Sequence, residues 1–281
     1  MLAILGGSGA AVMWAGSVLC SSRSSRMIGA SSVLAWMMLV GLVVVAPAVV
    51  AAGRPAALDA DAAGWLAVSG LGNVVGLFLE YRGLRLGLVG VVTAIASTEG
   101  AIAALISVSA GESLGAGTGV ALAVVALGIF FAGLPPAGER STHAAFRPAL
   151  YALGAAVSFG WSLYATGHVG SELPIAWAVL PPRLTGVIAV TLPLVVASRL
   201  RLTRRAAPLV VASALFEVIG FASFAWGARH GLAVSAVLAS QFAAISAVVA
   251  YLLFGERLTR GRVLGVATVA VGVAVLSALQ A

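Results

Sequence analysis

Of the 281 residues in the chain, 61% are hydrophobic and only 9% are charged, and the mean hydropathy is +1.11. A soluble domain carries about 25% charged residues, so most of this chain must face lipid or other buried helices. The net charge of +7 comes from 16 basic residues, all of them arginine, in short segments between apolar runs. This distribution excludes nucleic acid as a partner and favours the anionic headgroups of a lipid bilayer.

Ten apolar segments are long enough to cross a bilayer, for which an α-helix needs about 20 mostly apolar residues. In chain order they cover residues 2–20, 28–51, 64–81, 86–109, 115–134, 149–168, 175–197, 207–227, 232–254 and 263–279. The connections between them are short, and the longest, 135–147, has the composition of a linker. The sequence therefore predicts an all-α membrane protein with ten transmembrane helices.

The two halves of the chain resemble each other. At an offset of 144 residues the last three segments of each half align without a gap, and Gly111-Glu112 falls on Gly255-Glu256. At an offset of 147 residues Trp14 falls on Trp161. We interpret this pattern as an internal repeat of five helices.

An odd number of helices per repeat requires the second repeat to enter the membrane inverted relative to the first. The predicted repeats are residues 1–134 and 148–281, joined by the linker 135–147. Inverted repeats are typical of secondary transporters, whose binding site lies near the bilayer midplane. Thirteen of the 16 arginines lie in odd-numbered connections, and the positive-inside rule then places these connections in the cytoplasm and both termini outside.

The two turns before the last helix of each half carry a shared motif, Gly111-Glu112-Ser113-Leu114 and Gly255-Glu256-Arg257-Leu258. With Trp14 and Trp161 in the first helix of each half, the chain resembles the EamA-like transporters of the drug/metabolite transporter superfamily. The resemblance implies ten helices, export in many members, and substrates such as amino acids and other small metabolites. It also implies cytoplasmic termini in many members, opposite to the arginine count. Where the family often has proline in the fourth helix of each half, this chain has Glu99 and Ala243.

Polar residues inside the apolar segments are the candidates for a binding site, because a charge at mid-membrane costs about 2.5–3.5 kcal/mol on insertion scales. Glu99 and Glu217 lie near the middle of the fourth and eighth segments, and Asn73 and Gln241 lie at similar depth in the third and ninth. We expect Glu99 and Glu217 to line a central site that binds cationic groups or protons. The alternative is that all four side chains hydrogen-bond across helices and hold the structure together.

Two further charged residues lie in or at the end of apolar segments. Arg183 follows Pro181-Pro182, which should kink the seventh helix, and it could meet either a substrate carboxylate or an intramembrane glutamate. Glu80, near the end of the third segment, is expected to form a solvated ion pair with Arg82 or Arg85.

Three aromatic side chains complete the candidate site. Trp14, Trp161 and Tyr164 could present aromatic walls to a substrate, and Trp161 and Tyr164 share a helix face because they are three residues apart. The alternative is packing or contact with the lipid interface. Glu112 and Glu256, at turns, are expected to cap helices or form loop contacts.

We therefore expect a secondary transporter in the cell (inner) membrane that exports a small metabolite such as an amino acid or amine, with proton exchange as the coupling. Multidrug efflux of lipophilic cations and a non-transporting membrane scaffold are the alternatives, and a homodimer is possible. We expect no enzyme, no cofactor and no metal site, because the sequence pairs no nucleophile with a base and spaces its three histidines too widely for a metal.

Overall fold

The computed structural model describes residues 1–86, 92, 95–133, 146–254 and 260–279, and all regular secondary structure in these ranges is helical. The second Gly-Glu turn, at Gly255-Glu256, and most of the linker 135–147 lie outside the described residues. The helices are α1 (Leu2–Ile28), α2 (Ala30–Ala52), α3 (Ala60–Leu86), α4 (Glu99–Ser109), α5 (Ala116–Gly133), α6 (Phe146–Glu172), α7 (Ile175–Val196), α8 (Ala207–Ala228), α9 (Leu232–Ala239), α10 (Phe242–Phe254) and α11 (Arg260–Leu279).

Five of these helices are long and apolar enough to cross a membrane. They are α1, α2, residues Ala60–Gly83 of α3, α7 and α8. Three shorter apolar helical stretches, Glu99–Ser109, Ala116–Gly128 and Leu232–Ser246, lie among them. The described residues thus form an all-helical, multi-pass membrane protein, as the hydropathy pattern predicted.

Helix α1 is longer than the sequence predicted. It continues past Cys20 to Ile28, so that Arg23 and Arg26 lie in its last turns instead of in a loop. The chain then reverses at Gly29, whose φ of 86° lies in the left-handed region that glycine adopts without strain. The arginines therefore extend from the end of the apolar helix, where long basic side chains reach headgroups.

Several of the largest helix contacts occur in pairs at corresponding positions of the two halves of the chain. Helix α1 packs along α8 as α6 packs along α3, α1 contacts α10 as α6 contacts α4, and α2 contacts α8 as α7 contacts α3. Two further large contacts join helices at corresponding positions of the two halves, α2 with α7 and α5 with α11. Helix α9, whose counterpart lies mostly outside the described residues, contacts both α1 and α4. The halves are thus interleaved, and side chains from both meet in a shared core.

Helix α7 departs from regular α-helical geometry as its prolines predicted. Pro181 and Pro182 lie inside the helix, and residues Val187–Thr191 form a π-helical turn before the last segment, Leu192–Val196. Proline removes a backbone N–H donor and clashes with the preceding turn, so the helix adjusts its hydrogen bonding nearby. Arg183 directly follows the two prolines and lies four residues before the π-helical turn.

A candidate binding site between the two halves

Two predicted spans are interrupted near the middle of their length. Helix α4 begins at Glu99, after a turn at Ser97-Thr98, and a second turn at Ser240-Gln241 separates α9 from α10. The two turns are 143 residues apart, within one residue of the offset of 144 that relates the two halves. The breaks meet: the backbone N–H of Gly100 donates to the hydroxyl of Ser240 at 2.9 Å. The ends of these helices therefore contact each other inside the protein. Neither break contains a proline.

Arg183 is the largest of the fully buried side chains, with 1% of its surface exposed. Its guanidinium carbon lies 4.5 Å from the ring centroid of Phe221 on α8, a distance typical of a cation–π contact. Among the described residues, neither terminal nitrogen of Arg183 has a hydrogen-bond partner. The side chain therefore holds a positive charge at the core with most of its donor capacity unused.

Glu217 lies one turn before Phe221 on α8 and is a carboxyl group that interacts electrostatically with Arg183. It also interacts with the Ser17 hydroxyl on α1. The two sequence-predicted residues Arg183 and Glu217 are therefore brought together, from α7 and α8. A charge pair across these helices offsets part of the cost of placing either group in the membrane.

Glu99 and Glu80 add two carboxyl groups from the first half. Glu99 is 6% exposed, and it interacts electrostatically with both Glu80 and Glu217. The expected pairing of Glu80 with Arg82 is wrong, since the exposed Arg82 lies over the ring of Phe78 at 4.3 Å. The side chain of Arg85 lies outside the described residues.

Glu80 is thus a member of the site that sequence reasoning missed. Its signal in the sequence was its spacing from Asn73: seven residues are two helical turns, so the two side chains share a face of α3. The sequence analysis placed Glu80 near the end of the third span because that span was predicted to end at residue 81, whereas the helix continues to Leu86. Glu80 is half-buried and lies three residues before Gly83, where the membrane-length part of α3 ends.

Asn73 and Gln241 are both buried, with 4% and 9% of their surfaces exposed. The side-chain oxygen of Asn73 and the side-chain nitrogen of Gln241 have no hydrogen-bond partner among the described residues. Gln241 lies at the break between α9 and α10, whereas Asn73 lies inside α3. Neither side chain uses its full hydrogen-bonding capacity to join helices.

The three aromatic candidates lie in different places. Trp14 is 6% exposed and packs edge-on against Phe221 and Phe242, with centroid distances of 5.3 and 6.4 Å. Its indole nitrogen has no partner among the described residues. Trp14 therefore joins the Arg183 site.

Tyr164 and Trp161 do not contact the Phe221 ring that carries Arg183. Tyr164 is buried in a separate cluster, stacked on His168 at 5.8 Å and edge-on to Trp65 at 5.5 Å. Trp161 touches Tyr164 at 6.2 Å but is 42% exposed on the outside of α6, where a bilayer would surround it. Their contacts place them in the packing of α6 against α3.

Glu112, in the first Gly-Glu turn, links the two halves at one end of the helices. One of its carboxylate oxygens accepts a hydrogen bond from the backbone N–H of Ala233 at 3.0 Å and another from the hydroxyl of Ser107. Ala233 is in the first turn of α9, where backbone N–H groups have no partner inside the helix. Capping, which the sequence predicted for Glu112, therefore takes place across the two halves. In the described part of the chain, no group of three His, Cys, Asp or Glu side chains could hold a metal ion.

The fold and part of the sequence match known proteins. One solved crystal structure aligns with a TM-score of 0.81 at 18% identity, over 99% of this chain and 96% of the other, which shows that the two share a fold. A search of curated proteins gave no match. Residues 1–134 match the EamA-like transporter family, as the Gly-Glu-x-Leu turn and Trp14 predicted. Residues 1–134 of this membrane protein are thus similar to the EamA-like transporter family, which is consistent with the drug/metabolite transporter superfamily.

Proposed function

We propose that the protein is a secondary transporter of ten membrane spans, built from two inverted five-helix repeats, that exports a small metabolite such as an amino acid or amine in exchange for protons. The repeats are residues 1–134 and 148–281, and the location is the cell (inner) membrane. The observation that carries the proposal is the meeting of two helix breaks beside the buried side chains of Arg183 and Glu99 and the half-buried side chain of Glu217. Discontinuous helices around a site between repeats are characteristic of secondary transporters.

The paired helix contacts of the two halves support the repeat, and individual contacts repeat as well. Ser17 and Ser213 hydrogen-bond between α1 and α8, with 2.9 Å between their hydroxyl oxygens. In the same way, the Ser162 hydroxyl donates to the Ser69 carbonyl between α6 and α3 at 2.8 Å. Ser213 and Ser69 are 144 residues apart, as the aligned segments require. Ser17 and Ser162 are 145 apart.

This geometry changes the alignment of the first helices, which sequence matching placed at an offset of 147. Trp14 covers Gly220 on α8, and the residue that covers the equivalent Gly76 on α3 is Phe159, not Trp161. Phe159 lies 145 residues after Trp14, in agreement with the serine contacts. We therefore take Phe159 as the counterpart of Trp14, which accounts for the exposure of Trp161 on the outer surface.

Exchange of protons for substrate needs groups that can gain and lose a proton within the membrane. Glu99 and Glu217 are the groups we assign to this role, with Glu80 beside them. Carboxyl groups that interact electrostatically cannot all be charged at once without cost, so binding of a cation or a proton at one affects the others. Rocking of one repeat against the other would then expose this site to each side of the membrane in turn.

The proposal is tested by a metabolite screen. Cells with and without the protein are loaded with metabolites, and compounds released only by the expressing cells are identified by mass spectrometry. Purified protein in proteoliposomes should then move the same compounds saturably when a proton gradient is imposed. A scaffold would give no difference in either assay, and release of only lipophilic cations would change the substrate class from metabolites to drugs.

A further inference from the structure

Most of the unpartnered polar atoms in the described core are hydrogen-bond donors. They are the indole nitrogen of Trp14, both terminal nitrogens of Arg183 and the amide nitrogen of Gln241, against one acceptor, the Asn73 oxygen. A buried polar group without a partner costs about 1–3 kcal/mol, and more when it is charged. Such groups persist where a ligand completes them, and a set of donors requires a ligand that supplies acceptors.

The donors are gathered around two aromatic rings. Arg183 lies over Phe221 at 4.5 Å, and the Trp14 ring meets the edge of the same residue at 5.3 Å. Trp14 also meets Phe242 at 6.4 Å, and Phe242 directly follows Gln241 at the helix break. Side chains from α1, α7, α8 and the first residue of α10 therefore meet around Trp14 and Phe221.

The contact with Phe221 determines what Arg183 can still bind. An aromatic ring occupies one face of the planar guanidinium and leaves the nitrogen atoms at its edge, which form a fork of N–H donors. A carboxylate matches that fork with two parallel hydrogen bonds, which are among the strongest in proteins. Because only 1% of the Arg183 surface is exposed, a lipid headgroup outside the protein does not reach it.

Packing alone does not require an arginine at this position. A Cβ added to Gly41 would come within 3.2 Å of the Arg183 side chain, and a Cβ added to Gly186 would meet the Met38 side chain. Gly41 and Gly186 are 145 residues apart, as are Met38 and Arg183, so the two contacts are equivalent in the two halves. Met38 occupies the equivalent position in the first half, so an apolar side chain is sufficient to fill it. The charge of Arg183 therefore has a function other than packing.

We propose that Arg183 anchors a carboxylate group of the transported molecule, with the amide of Gln241 as a further donor. This inference rests on the proposed function and narrows its substrate class to small molecules that bear a carboxylate. Glu217 balances the charge of Arg183 in the empty site, and the incoming carboxylate competes with it. The carboxyl groups of Glu80, Glu99 and Glu217 are then free to meet an ammonium group, which makes an amino acid zwitterion the best-matched ligand.

The test compares compounds that differ by the carboxylate alone. Wild-type protein is assayed by isothermal titration calorimetry and by proteoliposome flux against the common L-amino acids and the amines that result from their decarboxylation. We expect at least one amino acid to bind, and its amine to bind at least about thirtyfold more weakly, which corresponds to about 2 kcal/mol for a lost charged hydrogen-bonded pair. An amine that binds as tightly as its amino acid, or binding of lipophilic cations alone, would overturn the inference.

Variants then assign the effect to Arg183. Arg183→Met copies the residue of the equivalent site, and Arg183→Lys keeps the charge but loses the fork. We expect amino acid affinity to fall at least thirtyfold in Arg183→Met and less in Arg183→Lys, with size-exclusion profiles like that of the wild type. Arg147→Met, at an exposed arginine at the start of α6, is the control and should bind normally.

The possible failures are distinguishable. Unchanged amino acid affinity in a folded Arg183→Met would refute the anchor and leave transport intact. Binding that depends on Arg183 without any flux would support the anchor and refute the transporter. Absence of both binding and flux for every compound would refute both.

Discussion

Gly220→Ala, on α8, probes the contact that holds Trp14 in the candidate site. A Cβ at this position would lie 2.5 Å from the indole nitrogen of Trp14 and 2.6 Å from the neighbouring ring carbon. Real Cβ atoms essentially never come this close to another atom, so the indole must move. Overpacking of this kind costs about 1–3 kcal/mol, offset by up to about 1 kcal/mol because alanine favours the helix more than glycine does.

The chain offers two matched controls for this variant. In Gly76→Ala the new Cβ would lie 2.5 Å from the ring of Phe159, so the equivalent contact in the other half is overpacked to the same degree. In Gly119→Ala on α5 the new Cβ would meet nothing within 4 Å, so only the helix preference remains. Relative to Gly119→Ala, both overpacked variants should be less stable by about 1–3 kcal/mol, measured as lower melting temperatures in detergent.

Transport separates the two overpacked variants. Trp14 is beside Phe221 and Arg183, so Gly220→Ala should lower substrate affinity, whereas Gly76→Ala should keep the affinity of the wild type at equal loss of stability. Flux is measured at matched protein amounts in proteoliposomes. Equal affinities in Gly220→Ala and the wild type would refute the placement of Trp14 in the site, and a normal melting temperature would refute the packing.

Three further predictions address the cap formed by Glu112, the coupling of transport to protons, and the membrane topology. Glu112→Ala removes the acceptor of the Ala233 N–H and should lower stability by about 1–3 kcal/mol; an unchanged melting temperature would contradict the contact. Glu99→Gln should insert normally but lose the dependence of flux on pH between about pH 5 and 9, whereas an unchanged pH profile would leave Glu99 a structural role. In a cysteine-free background, Ala57→Cys should react with an impermeant maleimide in intact cells and Leu202→Cys only after lysis. The reverse result would invert the orientation, and equal labelling would refute the inverted repeat.

The sequence was sufficient to predict an all-helical, multi-pass membrane protein and the family that residues 1–134 match, because both depend on long-range regularities. Long apolar runs predict helices in a membrane whatever their contacts, and the Gly-Glu motif identified the family that residues 1–134 match. The helix ends were less predictable. Arg23 and Arg26 read as loop residues, yet α1 continues through them because a basic side chain at a helix end can reach the headgroups.

The site was predicted in part. The cost of burying a charge in the membrane singled out Glu99, Glu217 and Arg183 without knowledge of the contacts. In the structure, Glu99 and Arg183 both interact electrostatically with Glu217. Packing between distant segments could not be read from the sequence. Glu80 was assigned to the solvated end of its helix. Trp161 was aligned with Trp14 because both are tryptophan, whereas the helix contacts pair Trp14 with Phe159.

The central claim is that substrate crosses the membrane in exchange for protons through the site between the two halves. The most direct test is a pH-sensitive dye enclosed in proteoliposomes, with metabolites identified in the screen added outside without an imposed gradient. We expect a saturable change of internal pH with wild-type protein that is abolished in Glu99→Gln and retained in Arg147→Met. Substrate uptake without any change of internal pH, or a full pH response in Glu99→Gln, would contradict the central claim.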